Sequence, residues 1–103
     1  MSFHICFVFG RMESDPALER LEDLYADLEL ADQEHTDVSV EHESGWGLSA
    51  FPSGRLIWEN VEGDGPAYHM VGVPRQKVIE LWAKLTRGQI EAIASEPWLP
   101  GYF

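Results

Sequence analysis

The chain has 103 residues, of which 45% are hydrophobic and 24% charged, as in one globular domain and unlike a disordered segment. Its 18 acidic and 7 basic residues give a net charge of −11. This charge argues against a nucleic-acid partner or an anionic membrane surface, because both are bound through clustered lysine and arginine. The single cysteine, Cys6, excludes an internal disulfide. With no signal-peptide or membrane-spanning pattern, we expect a cytoplasmic protein.

The first third of the chain predicts a strand followed by a helix. The apolar run 3–9 is typical of a central strand that is covered on both faces. Asp15 and Pro16 then predict the cap and the first turn of a helix that ends near residues 30–33. The inward stripe of this helix is expected to consist of Leu18, Leu21, Leu24, Tyr25 and Leu28.

The remainder predicts a sheet of short strands and two further helices. Polar and apolar residues alternate from residue 36, as in a strand with one solvated face. Turn signals divide the following segment, Pro74 begins a helix, and Gly88 ends it. The order β-α-β-β-β-β-α-α predicts one α+β domain over residues 1–103, with helices on one face of an antiparallel meander. The later strands are predicted at 36–43, 46–51, 55–61 and 67–71, and the later helices at 74–87 and 89–95.

The acidic residues are concentrated early in the chain. Residues 1–43 contain twelve acids and two bases (−10), whereas residues 44–103 contain six acids and five bases (−1). On the first helix Glu19, Asp23 and Asp27 recur at i,i+4, where each like-charged pair costs about 0.2–0.5 kcal/mol. Two explanations stay open: the acids serve solubility, or they are kept for a cationic partner. The predicted contact surface consists of Glu19, Asp23, Asp27, Asp32, Glu34, Asp37, Glu41 and Glu43.

The sequence predicts neither a metal site nor a catalytic motif. His35 and His42 lie among acids, but no metal-binding spacing such as H-E-x-x-H occurs. Cys6 lies in an apolar run, which would bury its thiol and raise its pKa. His4 and His69 are expected to be packed polar groups. We therefore expect no cofactor and no enzymatic activity.

The tryptophans offer a second kind of contact residue. Trp46 and Trp58 lie on neighbouring predicted strands and can form a cross-strand pair. Packing under the helices is the simpler interpretation. On the open face of the sheet, beside the acidic strand, the same pair would anchor a protein interface.

Several stretches of the later half resemble a known group of proteins. They are Gly45-Trp46-Gly47-Leu48, residues 54–60 (GRLIWEN), Val73-Pro74, residues 78–85 with Gly88, and Glu96-Pro97-Trp98. These stretches are similar to small bacterial immunity proteins of polymorphic toxin systems. The resemblance implies a cytoplasmic protein that binds and neutralises a cognate toxin, and it carries over no functional residue. An acidic face would suit such a toxin if it is basic.

The leading prediction is therefore a non-enzymatic binding protein for a basic protein, such as an immunity protein. Opposite charges would speed association with that partner more than they would add affinity. One alternative is a small enzyme or ligand-binding module with a pocket between sheet and helices near His4, His69 and Trp58. Another is a structural oligomerisation domain.

Overall fold

The computed structural model describes residues 2–63 and 65–102, and it confirms the predicted α+β class with an antiparallel sheet. The strands in this part of the chain are β1 (Phe3–Cys6), β2 (Met12–Ser14), β3 (Val38–His42), β4 (Trp46–Ala50), β5 (Leu56–Asn60), β6 (Tyr68–Met70) and β7 (Leu99–Pro100). The helices are α1 (Arg20–Ala26), continued by a 3-10 helix (Asp27–Leu30), α2 (Arg75–Thr86) and α3 (Ile90–Ala94). The strand order in the sheet is β2-β1-β3-β4-β5-β6-β7.

One face of the sheet carries the core. The register aligns Ile5, Val40, Leu48 and Trp58 in a row across β1, β3, β4 and β5, and each is at most 1% exposed. Burying an aliphatic or aromatic side chain of this size stabilises the fold by about 1.5–3 kcal/mol. Helix α2 packs on this face, where the buried Trp82 indole N–H donates to the Leu48 carbonyl at 3.0 Å. That bond attaches the helix to the centre of the sheet.

The alternate residues of the same strands form the other face, which we call the open face. One row across it contains His4, Glu41, Gly47 and Glu59 on β1, β3, β4 and β5. The row beside it is mixed polar and apolar, unlike the core row. This second row consists of Cys6, Ser39, Ser49, Ile57, His69 and Leu99.

The first strand is shorter than predicted. After Cys6 the chain turns, the Phe7 N–H donates to the Arg11 carbonyl at 2.8 Å, and β2 returns along β1 as an edge strand that the sequence analysis missed. Phe9 therefore lies in a turn and is 58% exposed. The prediction of a central strand covered on both faces over 3–9 is wrong, because β1 lies beside the edge strand and contributes to the open face.

Helix α1 begins at Arg20 and not at the predicted cap, Asp15. Asp15 has a φ of 47°, and its carboxylate accepts the Phe3 N–H and the Ser2 hydroxyl, each at 3.0 Å. These bonds hold the pKa of Asp15 below its ordinary value, the backbone bond being the larger cause. Leu18 lies before the helix and is 47% exposed, so its predicted inward position is wrong.

The apolar C-terminal segment docks on the domain. Leu99 pairs with His69 as part of β7, and the Gly101 N–H donates to the Ala67 carbonyl at 2.8 Å. The Trp98 indole N–H donates to the Ile93 carbonyl, also at 2.8 Å. The segment thus adds a strand to the sheet. The sequence did not predict this strand, because the segment contains two prolines and proline is rare within sheets.

We expect Gly54→Ala to destabilise the domain more than Gly72→Ala. Both glycines have positive φ, 82° and 64°, so both alanines incur about 1–2 kcal/mol of left-handed strain. At Gly54 a Cβ would in addition lie 3.0 Å from the Val73 carbonyl oxygen, whereas at Gly72 it meets no atom within 4 Å. Urea denaturation of both variants measures the difference, and equal losses would contradict this account.

Candidate functional site

Most of the negative charge lies in one stretch, residues 19–37, which we call the acidic segment. It contains eight acids and one arginine, a balance of −7, against −11 for the whole chain. It forms α1, the 3-10 helix and the loop that leads to β3. Six of its acids are exposed: Glu19, Glu22, Asp23, Glu29, Asp32 and Glu34.

The chain's own cations neutralise little of this segment. In the described part, Arg20 donates to Asp23 at 2.7 Å, and the Arg75 guanidinium lies 4.0 Å from a Glu22 oxygen. Arg20 is shared with Glu13 on β2, to which it donates at 2.9 Å. This bond is the main cause that holds the pKa of Glu13 below its ordinary value. Among the described residues, the eight carboxylates of the segment therefore have two arginines as ion-pair partners, and one of these arginines is shared with Glu13.

Two of the predicted contact residues also support the local backbone. The Asp27 carboxylate accepts the Val8 N–H at 2.8 Å and so joins the 3-10 helix to the turn after β1. The Asp32 carboxylate accepts the N–H groups of His35 and Glu34 at 2.7 and 2.9 Å. These backbone bonds are the largest causes that lower the pKa of Asp32. Both acids hold the segment in shape.

The remaining predicted acids lie outside the exposed part of the segment. Asp37 is half-buried and accepts the Thr36 hydroxyl at 2.9 Å. Glu43 lies at the turn after β3 and accepts the Ser2 N–H at 3.0 Å. Glu41 is on the open face of the sheet. The predicted contact residues thus fall into two groups, the acids of residues 19–37 and those of β3 and its turn.

The tryptophans pack on the helix side of the sheet. Trp46 and Trp58 stack with ring centroids 4.5 Å apart and an interplanar angle of 14°, and Trp98 continues the stack 6.2 Å from Trp58. Trp58 is 1% exposed. Packing in the core is therefore confirmed for Trp58, and the open-face position does not occur. Trp46 and Trp98 remain half-buried beside a cleft of about 350 Å³.

The open face carries a cluster that the sequence analysis missed, formed by His4, Cys6 and Glu41. His4 Nε2 lies 2.9 Å from Glu41 Oε2, and Cys6 Sγ lies 3.8 Å from the same oxygen. We call these three residues the His-Cys-Glu cluster. The H-x-C spacing on a strand did indicate one shared face for His4 and Cys6. Only the register of β3 against β1 brings Glu41 beside them.

Among the described residues, the three that were expected to line a common pocket, His4, His69 and Trp58, do not lie together. His4 on β1 and His69 on β6 lie on the open face, separated by three strands, and Trp58 points to the opposite face. His69 is buried, and its Nδ1–H donates to the Gly101 carbonyl at 2.9 Å. His69 is thus a packed polar group, as predicted, and the three residues share no site.

Comparisons of the chain with protein-family models, with curated proteins and with solved structures found no match. Within residues 2–63 and 65–102, no helix has the length and apolar character needed to cross a membrane.

We expect Asp27→Ala to cost more stability than Asp23→Ala, although both remove one acid from the same surface. The first change leaves the Val8 N–H without its acceptor, at a cost of about 1–3 kcal/mol. The second removes an exposed, solvent-screened ion pair with Arg20, which stabilises little. Urea denaturation at one pH and salt concentration compares them, and a larger loss for Asp23→Ala would refute the structural role of Asp27.

Protection of the Glu34 and His35 amides from hydrogen exchange should depend on ionised Asp32. Because the folded pKa of Asp32 is lowered, its contribution is present above the unfolded pKa of about 4 and is lost as pH falls through the folded pKa. Asp32→Asn should therefore reduce protection at neutral pH, and the difference from wild type should shrink in acid. Glu34→Gln, which removes an exposed carboxylate in the same loop, is the control. Equal protection in wild type and Asp32→Asn at neutral pH would refute the prediction.

Proposed function

We propose that this chain is a non-enzymatic binding protein for a basic protein, and that this partner is a toxin which it neutralises. The observation that carries the proposal is the uncompensated charge of the acidic segment. In the described chain, two arginines form ion pairs with acids of this segment, which has eight acids. Six of the eight acids are exposed. A fold that needed these acids only for its own stability would pair them more fully.

The position of the charge suits fast recognition. The exposed carboxylates follow one another along α1, the 3-10 helix and the adjoining loop, so their fields add over one part of the surface. Such a field raises the rate of encounter with a basic protein, and the effect falls steeply with ionic strength. For an inhibitor of a toxin, rapid capture is the property that matters.

Exposed apolar side chains accompany the acids. Leu18 precedes α1 and Leu30 ends the 3-10 helix, and both are about half exposed (47% and 56%). The ring centroid of the exposed Phe9 lies 4.9 Å from that of His35, which places Phe9 at the loop end of the segment. Apolar anchors among charged residues are typical of protein interfaces. In the complex, these three side chains would add affinity through apolar contact, whereas the carboxylates would speed association through electrostatic attraction.

The toxin as partner comes from the resemblance to immunity proteins, which concerns the later half of the chain. The acidic segment lies in the first half and is independent of that resemblance. The charge and the resemblance support the same partner, since an acidic inhibitor suits a basic toxin. Either property can hold without the other.

We expect the double variant Glu19→Lys/Glu29→Lys to associate with the partner at least about tenfold more slowly than wild type at low salt. Its rate should also depend less on salt. Among the described residues, neither carboxylate takes part in a hydrogen bond or an ion pair, so the fold should be unaffected. The matched control, Glu62→Lys/Glu91→Lys, makes the same change of charge at exposed positions outside the segment. The partner is first captured from a lysate of the native host at low salt, identified by mass and purified, and stopped-flow mixing then measures both variants.

The outcomes separate the two parts of the proposal. If both double variants slow association equally, total charge and not the acidic segment steers the partner. If the captured protein is basic but does not arrest the growth of a bacterial host that expresses it, the chain binds a basic protein but is not an immunity protein. Growth arrest that co-expression of wild type relieves, and that the Glu19→Lys/Glu29→Lys variant relieves less, supports both parts.

A further inference from the structure

The His-Cys-Glu cluster is built by the regular geometry of the sheet. His4 and Cys6 are two residues apart on β1 and so project from the same face, and Glu41 is the register partner of His4 on β3. Two adjacent strands hold all three side chains, and no flexible loop is involved. All three are half-buried, which leaves the cluster open to solvent on one side.

The three side chains place one possible ligand atom each close enough together to bind a single metal ion. One donor atom from each residue lies within 4.8 Å of the others, and Glu41 Oε2 is the common neighbour of the imidazole and the thiol. In a tetrahedral zinc site, bonds of about 2.0–2.3 Å place neighbouring ligand atoms about 3.3–3.7 Å apart. The observed separations of 2.9 and 3.8 Å from Glu41 lie close to this range. Small side-chain rotations are enough to admit an ion.

The donor set selects the kind of metal. A nitrogen, a sulfur and an oxygen suit Zn²⁺ and similar borderline ions, whereas Mg²⁺ and Ca²⁺ require oxygen ligands. One thiolate and one carboxylate balance the two positive charges of the ion, and a neutral imidazole completes the set. Three protein ligands leave a fourth position for water or for a donor from a bound molecule.

Ser39 provides a further support for the site. It is the register partner of Cys6 on β3, so its side chain projects from the same face beside the thiol. A hydroxyl in this position stabilises a thiolate, as second-layer partners of metal ligands commonly do. Burial is the largest influence on Cys6 and raises the pKa of its thiol, and the nearby Glu41 and Asp37 carboxylates raise it further.

We propose that His4, Cys6 and Glu41 form a zinc-binding site on the open face of the sheet. Zn²⁺ takes the place of the hydrogens that lie between the imidazole and Glu41 and between the thiol and Glu41. The imidazole keeps its one hydrogen, which exchanges through solvent from Nε2 to Nδ1 and leaves the Nε2 lone pair to bind the ion. The Cys6 S–H bond breaks, its proton passes to the solvent, and a zinc–sulfur bond forms, with one proton released from the thiol per ion. Neutral His4 and ionised Glu41 complete the coordination. None of the three ligands belongs to the acidic segment, so this proposal stands whether or not the partner proposal does.

The test uses the full chain under reducing conditions and titrates it with Co²⁺ as a coloured probe for Zn²⁺. We expect one Co²⁺ per chain, a sulfur-to-cobalt charge-transfer band, and loss of that band when Zn²⁺ is added. Cys6→Ser should abolish the band, and His4→Gln and Glu41→Gln should weaken Co²⁺ binding at least about tenfold. Glu59→Gln is the matched control, because Glu59 lies in the same row of the open face and accepts the Tyr102 hydroxyl at 2.6 Å. It should bind Co²⁺ as wild type does.

Circular dichroism of each variant shows that the fold is retained, and Zn²⁺ should raise the melting temperature of wild type but not of Cys6→Ser. Absence of the charge-transfer band in folded, reduced wild type would overturn the proposal. So would unchanged Zn²⁺ affinity in Cys6→Ser, since that result would place the ion elsewhere, for example at Asp32 and His35. If both His4→Gln and Glu41→Gln keep the band and bind Co²⁺ with wild-type affinity, the three-residue site is equally refuted.

Discussion

The antiparallel register of β1, β3, β4 and β5 is the constraint on which the rest of the structure depends. It aligns Ile5, Val40, Leu48 and Trp58 under the helices, and the bond from Trp82 to the Leu48 carbonyl holds α2 over that row. Because side chains alternate along a strand, a slip of one residue would exchange the two faces. The same register that completes the core therefore also assembles the open face.

The two faces of the molecule carry different chemistry for this reason. On the helix side, α1 buries Leu21 and Leu24 against the core and turns its acids to solvent. On the open side, His4 and Glu41 face each other between strands, where hydrogen bonding offsets the cost of partial burial. The acidic segment is thus suited to long-range attraction, whereas the His-Cys-Glu cluster is suited to short-range coordination.

The differences between prediction and structure have local causes. The run 3–9 was apolar enough to resemble a buried strand, but the chain turns after Cys6, where Phe7 bonds to Arg11 and not to a neighbouring strand. Aspartate is a residue type that often caps helices. The Asp15 carboxylate instead accepts the N–H of Phe3, which lies at the end of a strand and is free to donate. In the first case a tight turn overrode the pattern, and in the second a bond to a residue twelve positions earlier did so.

The sequence by itself determined the α+β class, the strands from β3 to β6, the second and third helices, and the early concentration of negative charge. These properties follow from periodicity, turn residues and composition, which are local. Only the tertiary structure decided that Asp27 supports the Val8 amide, that the tryptophans stack on the helix side, and that Glu41 joins His4 and Cys6. Each of these depends on which strands become neighbours, and pairing between distant segments is set by packing of the whole chain rather than by any one stretch of it.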